Sequence, residues 1–345
     1  MESKNRTSLS ASRIKTAQSC SWKYWCSYHL KLPDKSNSGA KRGSVCHLVF
    51  ECLGENRHKK HFSIIVKKRD VFASRAVERL IRKHAKKEGI NDEENIKQIC
   101  DMTLAGLQYD FFGAECGKPS QALSEQDFEI DVKEGKFDYR IKGFIDKLFL
   151  YKKQGLAIIR DFKSSKEVFK GKDLENNLQD LMYSLAVKKL FPDYKNRRSE
   201  FLFLKFLPTE KGVVRMPALS DEELDGFQSE LTEIQKYLDN FNFQTAMSNL
   251  AAFQDYPKDN SFSGPLQCGR ATYKGELKKD GSIKWHCPYK FDFYYYKICD
   301  MKGTMIASCF LEDFDEYVKK YPEDKYLYQT MWYQGCPAFN KGIDR

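Results

Sequence analysis

Apolar residues recur at helical spacing through the first third of the chain, then switch to strand-like alternation near Phe128. Residues 7–30 open with a Ser/Thr-rich cap and continue with Ile14, Ala17, Trp22, Trp25 and Tyr28 on helical spacing. A polar loop spans 32–43. A helix over Gly43–Leu53 follows, with Val45, Leu48, Val49 and Leu53 on its apolar side. Residues 68–117 read as two or more amphipathic, strongly basic helices. Three strands come next: Phe128–Val132, Phe137–Tyr151 and Leu156–Phe162, joined by turns at 133–136 and 152–155. The pattern then predicts a helix over Leu174–Leu190, strands at Phe201–Leu207 and Val213–Met216, and a helix from Ser220 to Phe243 opened by a Ser220/Glu223 capping box. Residues 254–270 are loop-rich, and 301–345 carry no clear period. This order predicts an α/β fold with a mixed sheet whose strand ends carry acids.

Gly143–Lys163 concentrates the chemistry. Asp146 ends one β-branched, aromatic run, and Asp161-Phe162-Lys163 ends the next. Side chains two apart on a strand share a face, so Asp161 and Lys163 point together and Phe162 points away. Paired as a hairpin, the two runs bring Asp146 to the same place. Two acids and an ammonium there suit a divalent metal and phosphodiester hydrolysis. An edge hairpin with a solvated Asp/Lys pair fits the spacing equally well. Two flanking helices bear on the choice. His47 and Glu51 lie four apart on one helix, as do Gln179 and Tyr183 on another, so each pair shares a face. Imidazole can ligate a metal, and an amide with a phenol can hold water or phosphate. Taken alone, each pair is also an ordinary polar stripe.

Composition narrows the partners. Of 345 residues, 41% are hydrophobic and 14% aromatic, which is globular, and no apolar run is long enough for a membrane span. The N-terminus lacks the apolar core of a signal peptide, which points to a cytoplasmic, intracellular protein that could equally be phage-encoded in a bacterial host. The net charge of +10 is uneven: residues 1–100 carry 22 Lys/Arg against 10 Asp/Glu. A basic region of that kind suits a polyanion such as DNA. Eleven cysteines in such a chain argue against a disulfide framework. Cys46, Cys52 and Cys100 fall inside apolar helical patterns and read as small hydrophobes.

The ordered motifs G-x-x-x-H-x-x-x-E (Gly43, His47, Glu51), G-x-I-D (Gly143, Asp146), D-F-K (Asp161–Lys163) and Q-x-x-x-Y (Gln179, Tyr183) resemble the RecB-type branch of the PD-(D/E)xK nucleases. That branch includes AddB-type helicase-nucleases, CRISPR-associated adaptation exonucleases and many phage exonucleases. The opening Leu9–Lys15 segment and Cys20 match as well, and the resemblance covers roughly residues 8–190. It implies a restriction-endonuclease-like core. His47, Asp146, Asp161 and the Phe162 carbonyl would bind Mg²⁺ or Mn²⁺. Lys163 would position the attacking water, and Gln179 and Tyr183 would orient DNA or the lysine, with Glu51 as a further catalytic candidate.

Several members of the branch hold a [4Fe–4S] cluster with one cysteine before the first motif and three after the core. By that resemblance Cys20, Cys268 and Cys287 take three positions. The fourth is assigned to Cys299, with Cys309 and Cys336 as rivals, and residues 269–286 read as an insertion. Four thiolates could instead hold zinc, with His286 as a substitute ligand, or stay unligated.

The expected layout is a basic helical region at 1–120, a nuclease core at 121–250 and a cysteine-bearing region at 251–345 that packs back on the N-terminus. The expected function is metal-dependent DNA exonuclease, with some endonuclease action possible, in recombination, repair or phage DNA processing. The basic helices would grip phosphates, and Trp22, Tyr24, Trp25 and Tyr28 would either stack on bases or pack the core. No P-loop sequence is present, so unwinding would need a helicase or recombination partner. The alternatives are a non-catalytic nucleic-acid-binding module that keeps the fold, and a zinc-stabilised interaction protein.

Overall fold

The computed structural model describes residues 8–34, 38–135, 137–254, 268–269, 272–279, 281 and 283–340. In chain order they form β1 (Ser8–Leu9), α1 (Ala11–Ser19) and α2 (Ser21–Tyr24), which runs on as a π turn over Trp25–His29. Four helices follow: α3 (Ser38–Gly54), α4 (Lys59–Lys68), α5 (Arg75–Lys87) and α6 (Glu93–Gln108). Then come β2 (Gln121–Glu134), β3 (Phe137–Tyr151), β4 (Leu156–Lys163), α7 (Leu178–Leu190), β5 (Asn196–Phe203), β6 (Val213–Arg215) and α8 (Asp221–Asp239). The chain continues through α9 (Phe243–Ala246), β7 (Phe293–Cys299), β8 (Met305–Phe310), α10 (Phe314–Lys320) and β9 (Leu327–Tyr333). The expected loop-rich stretch at 254–270 and the tip of the 133–136 turn lie largely outside the described residues.

Two compact units result: Met1–Ala11 with Ser36–Tyr237, and Ser12–Lys35 with Leu238–Arg345. They cut across the three consecutive segments expected from sequence order. The reason is packing. The apolar sides of α3–α6 (Val45, Val49, Phe50, Ile81, Ile99, Met102) share one core with Phe162 of β4 and with Leu202 and Leu204, so these helices belong with the sheet.

The first unit is built on a mixed sheet in the order β1-β3-β4-β5-β6, with β2 also paired to β3. β2 and β3 form a long antiparallel hairpin that registers from Gln121↔Leu150 to Glu134↔Phe137. The other edge of β3 is divided. β1 takes Arg140 and Ile141 in parallel, and β4 takes Lys147–Tyr151 antiparallel. The β3/β4 pairing stops at Lys147↔Arg160. Beyond that point Asp161, Phe162 and Lys163 pair only with Phe201, Leu202 and Phe203 of β5. The sheet therefore forks just where the two acids emerge. β4 and β5 run parallel through the α7 crossover, an arrangement that leaves ligand sites at strand carboxyl ends.

Local rules account for the helices. Asn177 caps α7 by accepting from the Gln179 and Asp180 amides, so the helix starts there rather than at Leu174. The α8 capping box forms as the sequence predicts: Glu223 N–H donates to Ser220 Oγ, and Ser220 N–H to the Glu223 carboxylate. β5 starts earlier than expected, at Asn196, because Arg197 and Glu200 are buried polar residues that an apolar pattern does not register.

In the second unit, α1, α2 and the π turn pack with the C-terminal part of the chain. Ser21 Oγ donates to the Ala246 carbonyl (2.8 Å), and Trp22 Nε1 donates to the Tyr333 hydroxyl (2.8 Å). Tyr24 is fully buried against Phe241. Trp22 and Tyr24 are thus core residues and are unavailable to stack on bases. β7 is the centre of a three-stranded antiparallel sheet, β8-β7-β9, whose outer strands β8 and β9 fall in the stretch where the sequence shows no period.

Candidate active site

Two glycines let the elements of the first unit come close enough to build a site. At Gly43 of α3, a Cβ would lie 2.5 Å from Ser164 Oγ, so a side chain here would have to displace the Ser164 hydroxyl where the helix meets the end of β4. At Gly143 of β3, a Cβ would lie 2.6 Å from the Phe128 ring, which folds over the glycine from its register position on β2. Phe128 in turn packs edge-on against Tyr183 of α7 (6.0 Å). The glycines of G-x-x-x-H and G-x-I-D are therefore close-approach positions for the two flanking helices.

At the fork, Asp146 Oδ2 accepts from the Phe162 backbone amide at 2.7 Å, which satisfies a donor that the diverging strands leave unpaired. His47 of α3 faces the same place, with Nδ1 3.1 Å from Asp146 Oδ1 and Nε2 3.0 Å from the Phe162 carbonyl. Asp161 and Lys163 do share a face: Lys163 Nζ lies 2.6 Å from Asp161 Oδ2. Gln179 bridges them. Its carbonyl accepts from Lys163 (2.6 Å), and its amide lies 2.6 Å from both Asp161 Oδ1 and the Tyr183 hydroxyl. Phe162 points the other way, onto Phe50 of α3 (4.3 Å).

The structure thus brings together His47, Asp146, Asp161, Phe162, Lys163, Gln179 and Tyr183. Glu51 is exposed on the wall of the adjoining groove, which has a volume of about 440 Å³ and is also lined by Ala40, Gly43, Ser44, Leu48, Glu125 and Ser164.

One residue absent from the sequence expectation joins them. Glu125 of β2 lies 3.9 Å from His47 Nδ1, and His47, Glu125 and Asp146 offer ligand atoms within 4.8 Å of one another. Glu125 has a positive φ of 47°, unusual away from glycine, and interrupts the β2/β3 register opposite Asp146. No sequence signal announces it, because Ser124-Glu125-Gln126-Asp127 reads as an ordinary polar stretch.

The electrostatics are strained in a way a cation would relieve. Burial works against a charged His47, yet hydrogen bonds to Asp146 and Glu125 and the charges of Asp146 and Asp161 raise it to about 10. Burial and the neighbouring Asp146 charge lift Asp161 to about 6, against the pull of Lys163. Asp161 Oδ2 is enclosed and lacks a well-aligned hydrogen bond despite the nearby ammonium. Burial also drives Tyr183 well above its usual value. Carboxylates, an imidazole and a backbone carbonyl at one point form a donor set that fits a hard divalent ion.

In the second unit Cys20, Cys268, Cys287 and Cys336 line one small cavity of about 20 Å³, together with Lys23, Lys290 and apolar residues. Cys299 does not line it. It sits on β7, the central strand of the small sheet, where the strand buries its side chain. Cys309 is buried on β8. Cys336 follows β9, and its backbone amide donates to the Lys290 carbonyl (3.1 Å), which brings it beside the Cys287 turn. The fourth cysteine at the cavity is therefore Cys336 and not Cys299. Among the described residues no three of these sulfurs lie within 4.8 Å of one another.

The fold defines a class, the restriction-endonuclease-like α/β proteins with a mixed central sheet flanked by helices. The chain belongs to the PD-(D/E)XK nuclease superfamily, whose sequence profile matches residues 8–260. Among solved structures, it is similar to a candidate exonuclease from Eubacterium rectale (12% identity, 72% of this chain and 86% of the other, TM-score 0.43). It is also similar to the protein SSO0001 (15% identity, 64% and 85%, TM-score 0.27). Both TM-scores are below 0.5, and membership rests on the profile match. No curated protein matches the chain significantly. No helix among the described residues is long and apolar enough to cross a membrane.

Proposed function

We propose that the protein is a metal-dependent DNA nuclease of the RecB type, acting as an exonuclease on DNA ends or single strands. The observation that carries this reading is the meeting of Asp146, Asp161, Lys163 and His47 at the fork between β3 and β4. His47, Asp146, Asp161 and the Phe162 carbonyl would hold Mg²⁺ or Mn²⁺, with Glu125 added to the set. A cation bound there would supply a Lewis acid that eases deprotonation of water and neutralises charge on the phosphoryl oxygens. Lys163 orients the water, and Gln179 fixes the ammonium against Asp161 so that it points at the reacting phosphate. Tyr183 holds Gln179 in that rotamer.

The polyanion is gripped from the helical side. Residues 56–89, which include α4 and α5, carry twelve Lys/Arg and three Asp/Glu. Lys59, Lys60, Lys67, Lys68, Arg75, Arg79, Lys83, Lys86 and Lys87 are all exposed. Such a surface tracks phosphates without reading sequence.

The four cysteines at the cavity read best as the ligands of a [4Fe–4S] cluster. Zinc would draw its four sulfurs to about 3.8 Å from one another, given Zn–S bonds of about 2.3 Å in a tetrahedron. Among the described residues no three of the four sulfurs lie within 4.8 Å of one another. Burial pushes Cys287 up to about 11 and Cys336 up to about 12, a cost that iron binding would offset by taking the thiolate form.

The test is end-labelled DNA incubated with Mn²⁺ or Mg²⁺, comparing wild type with Asp161→Ala and Lys163→Ala. Wild type shortens the labelled strand and neither variant does. Intact DNA with wild type across both metals would leave a non-catalytic binding module as the reading.

A further inference from the structure

We propose that Phe144 is a stacking platform for one base of the substrate strand, in a nucleotide beside the phosphate being cut. The inference rests on the nuclease reading for the identity of the strand. It adds a residue that holds the strand by a base rather than by a phosphate.

The direction of this side chain follows from β3. Tyr139 and Ile141 are buried and alternate with Arg140 and Lys142, which are not. Gly143 belongs to the covered set, since Phe128 folds over it and meets Tyr183 of α7. Phe144 therefore points to the side of the sheet away from α7. That is the side of α3: Phe50 of α3 packs on Phe162, while Asp161 and Lys163 on either side of it face Gln179 of α7. His47, also on α3, meets Asp146 there. Phe144 and His47 thus lie on one side of the sheet, with Asp146 the next residue but one from Phe144. Two residues at about 3.4 Å each put the ring's strand position roughly 7 Å from that of Asp146. A nucleotide whose phosphate lies at the acids reaches that far with its base.

A single exposed apolar side chain is ordinary on a protein surface, and it is the surroundings that set this one apart. Phe144 is 63% exposed, the most of any large apolar side chain among the described residues of the first unit. It stands on a strand that β2 pairs along its length, with Asp127 directly across the ladder, so the ring is carried on a rigid element. At the other edge β1 reaches only to Ile141 and β4 begins only at Lys147, so among the described residues no strand covers β3 between them. Asp127, Glu129 and Asp131 share the exposed face of β2, and Arg140 is taken up by the last two. This carboxylate row turns phosphates away from Phe144 and leaves the uncharged base as the part of a nucleotide that fits there. Every base offers a π face to such a ring, so the contact holds a strand without reading its sequence. A paired base is already stacked and must be drawn out at a cost, so the platform favours a single strand or a frayed end.

The test reads stacking and cleavage separately. Single-stranded oligonucleotides carrying 5-iodouracil at successive positions are bound in Ca²⁺, checked intact on a gel and irradiated, and the joined residue is found by mass spectrometry. Phe144 is joined from one position and not from its neighbours. Cleavage is then measured in Mn²⁺ with oligonucleotides that lack one base at successive positions. At the same position the missing base raises the wild-type KM about tenfold. Phe144→Ala raises KM by that factor on the intact strand and loses nothing further on the abasic one. Phe144→Trp recovers most of the loss, whereas Phe144→Leu, which keeps the bulk without the flat ring, behaves as Phe144→Ala. A wild-type KM in Phe144→Ala, or rescue by leucine equal to that by tryptophan, would overturn the platform. So would joining at residues other than Phe144 from every position. Joining at Phe144 with no cleavage in Mn²⁺ would overturn the nuclease reading and leave the platform standing, and cleavage without joining would do the reverse.

Discussion

Gln179 is the residue through which the charges of the site are tied together, since one amide group meets Asp161, Lys163 and Tyr183. Replacing Lys163 with alanine is expected to lower the cleavage rate by about 10²–10⁴-fold, the range for loss of a positioned proton-transfer or water-orienting group, with KM little changed. Gln179→Ala acts through the lysine and costs less, and Gln179→Glu restores part of the loss by keeping an acceptor for the ammonium. Steady-state kinetics on a labelled oligonucleotide separate these cases. Protonation offers a second test. His47 is raised to about 10, so its contribution to stability is fully present below about pH 6.5 and is lost as pH rises through about 10. Lys147, on the opposite face of β3, has the reverse sign. Burial first and the Arg160 charge second lower it to about 7, so the folded state gains stability as pH rises from about 7 to about 10.5. Denaturation midpoints between pH 7 and 10 should therefore rise with pH in His47→Ala and fall with pH in Lys147→Met, each exposing the linkage left in place. A cation at the site needs neutral imidazole, so added Mn²⁺ should flatten the His47 part of the profile and release protons on binding.

At the scale of elements, what could be read in advance depended on how strongly each element's apolar pattern repeats. β3 and β4 are β-branched and aromatic runs bounded by turn residues, α7 carries leucines at helical spacing and α8 opens on a capping box, so their existence was legible although β4 and α7 are buried nearly all round. β7, β8 and β9 were illegible, because Phe293–Cys299 and Leu327–Tyr333 carry aromatics on both sides and mix in Lys297, Gln329 and Thr330 without a clean alternation. The Asp146/Asp161/Lys163 group was legible because strand parity alone puts Asp161 beside Lys163. Glu125 was not, since a residue in left-handed backbone within a strand leaves no mark in composition. Cys336 was passed over for Cys299 because spacing along the chain says nothing about which strand returns to the Cys287 turn. The β2/β3 hairpin carries its own prediction. Gly143→Ala forces the Phe128 ring off β3 and displaces Tyr183, at a cost of about 1–3 kcal/mol by overpacking. Chemical denaturation should show that loss, and Phe128→Leu in the same chain should recover part of it.

For the whole molecule, the two units make separable demands. Cys336→Ser is expected to lower bound iron and sulfide in anaerobically purified protein, whereas Cys299→Ser leaves both at wild-type content, measured by metal analysis and visible absorbance. Equal iron in the two variants would return the fourth position to another cysteine. In the first unit, reversing Lys67, Lys68, Arg75 and Arg79 together to glutamate should reduce the dependence of DNA affinity on salt by about one per lost phosphate contact. The same reversal should spare hydrolysis of a small phosphodiester that cannot reach α4 and α5.

The forked sheet also gives the site a reporter that needs no substrate. Strand pairing ends at Lys147↔Arg160, so the Phe162 amide proton is held by the Asp146 carboxylate alone. Its exchange with solvent deuterium measures whether that carboxylate is in place. Asp146→Ala should leave this proton without an acceptor, speed its exchange, and cost about 1–3 kcal/mol of stability. A cation that draws the carboxylate away would change the same proton's resonance before any strand is cut.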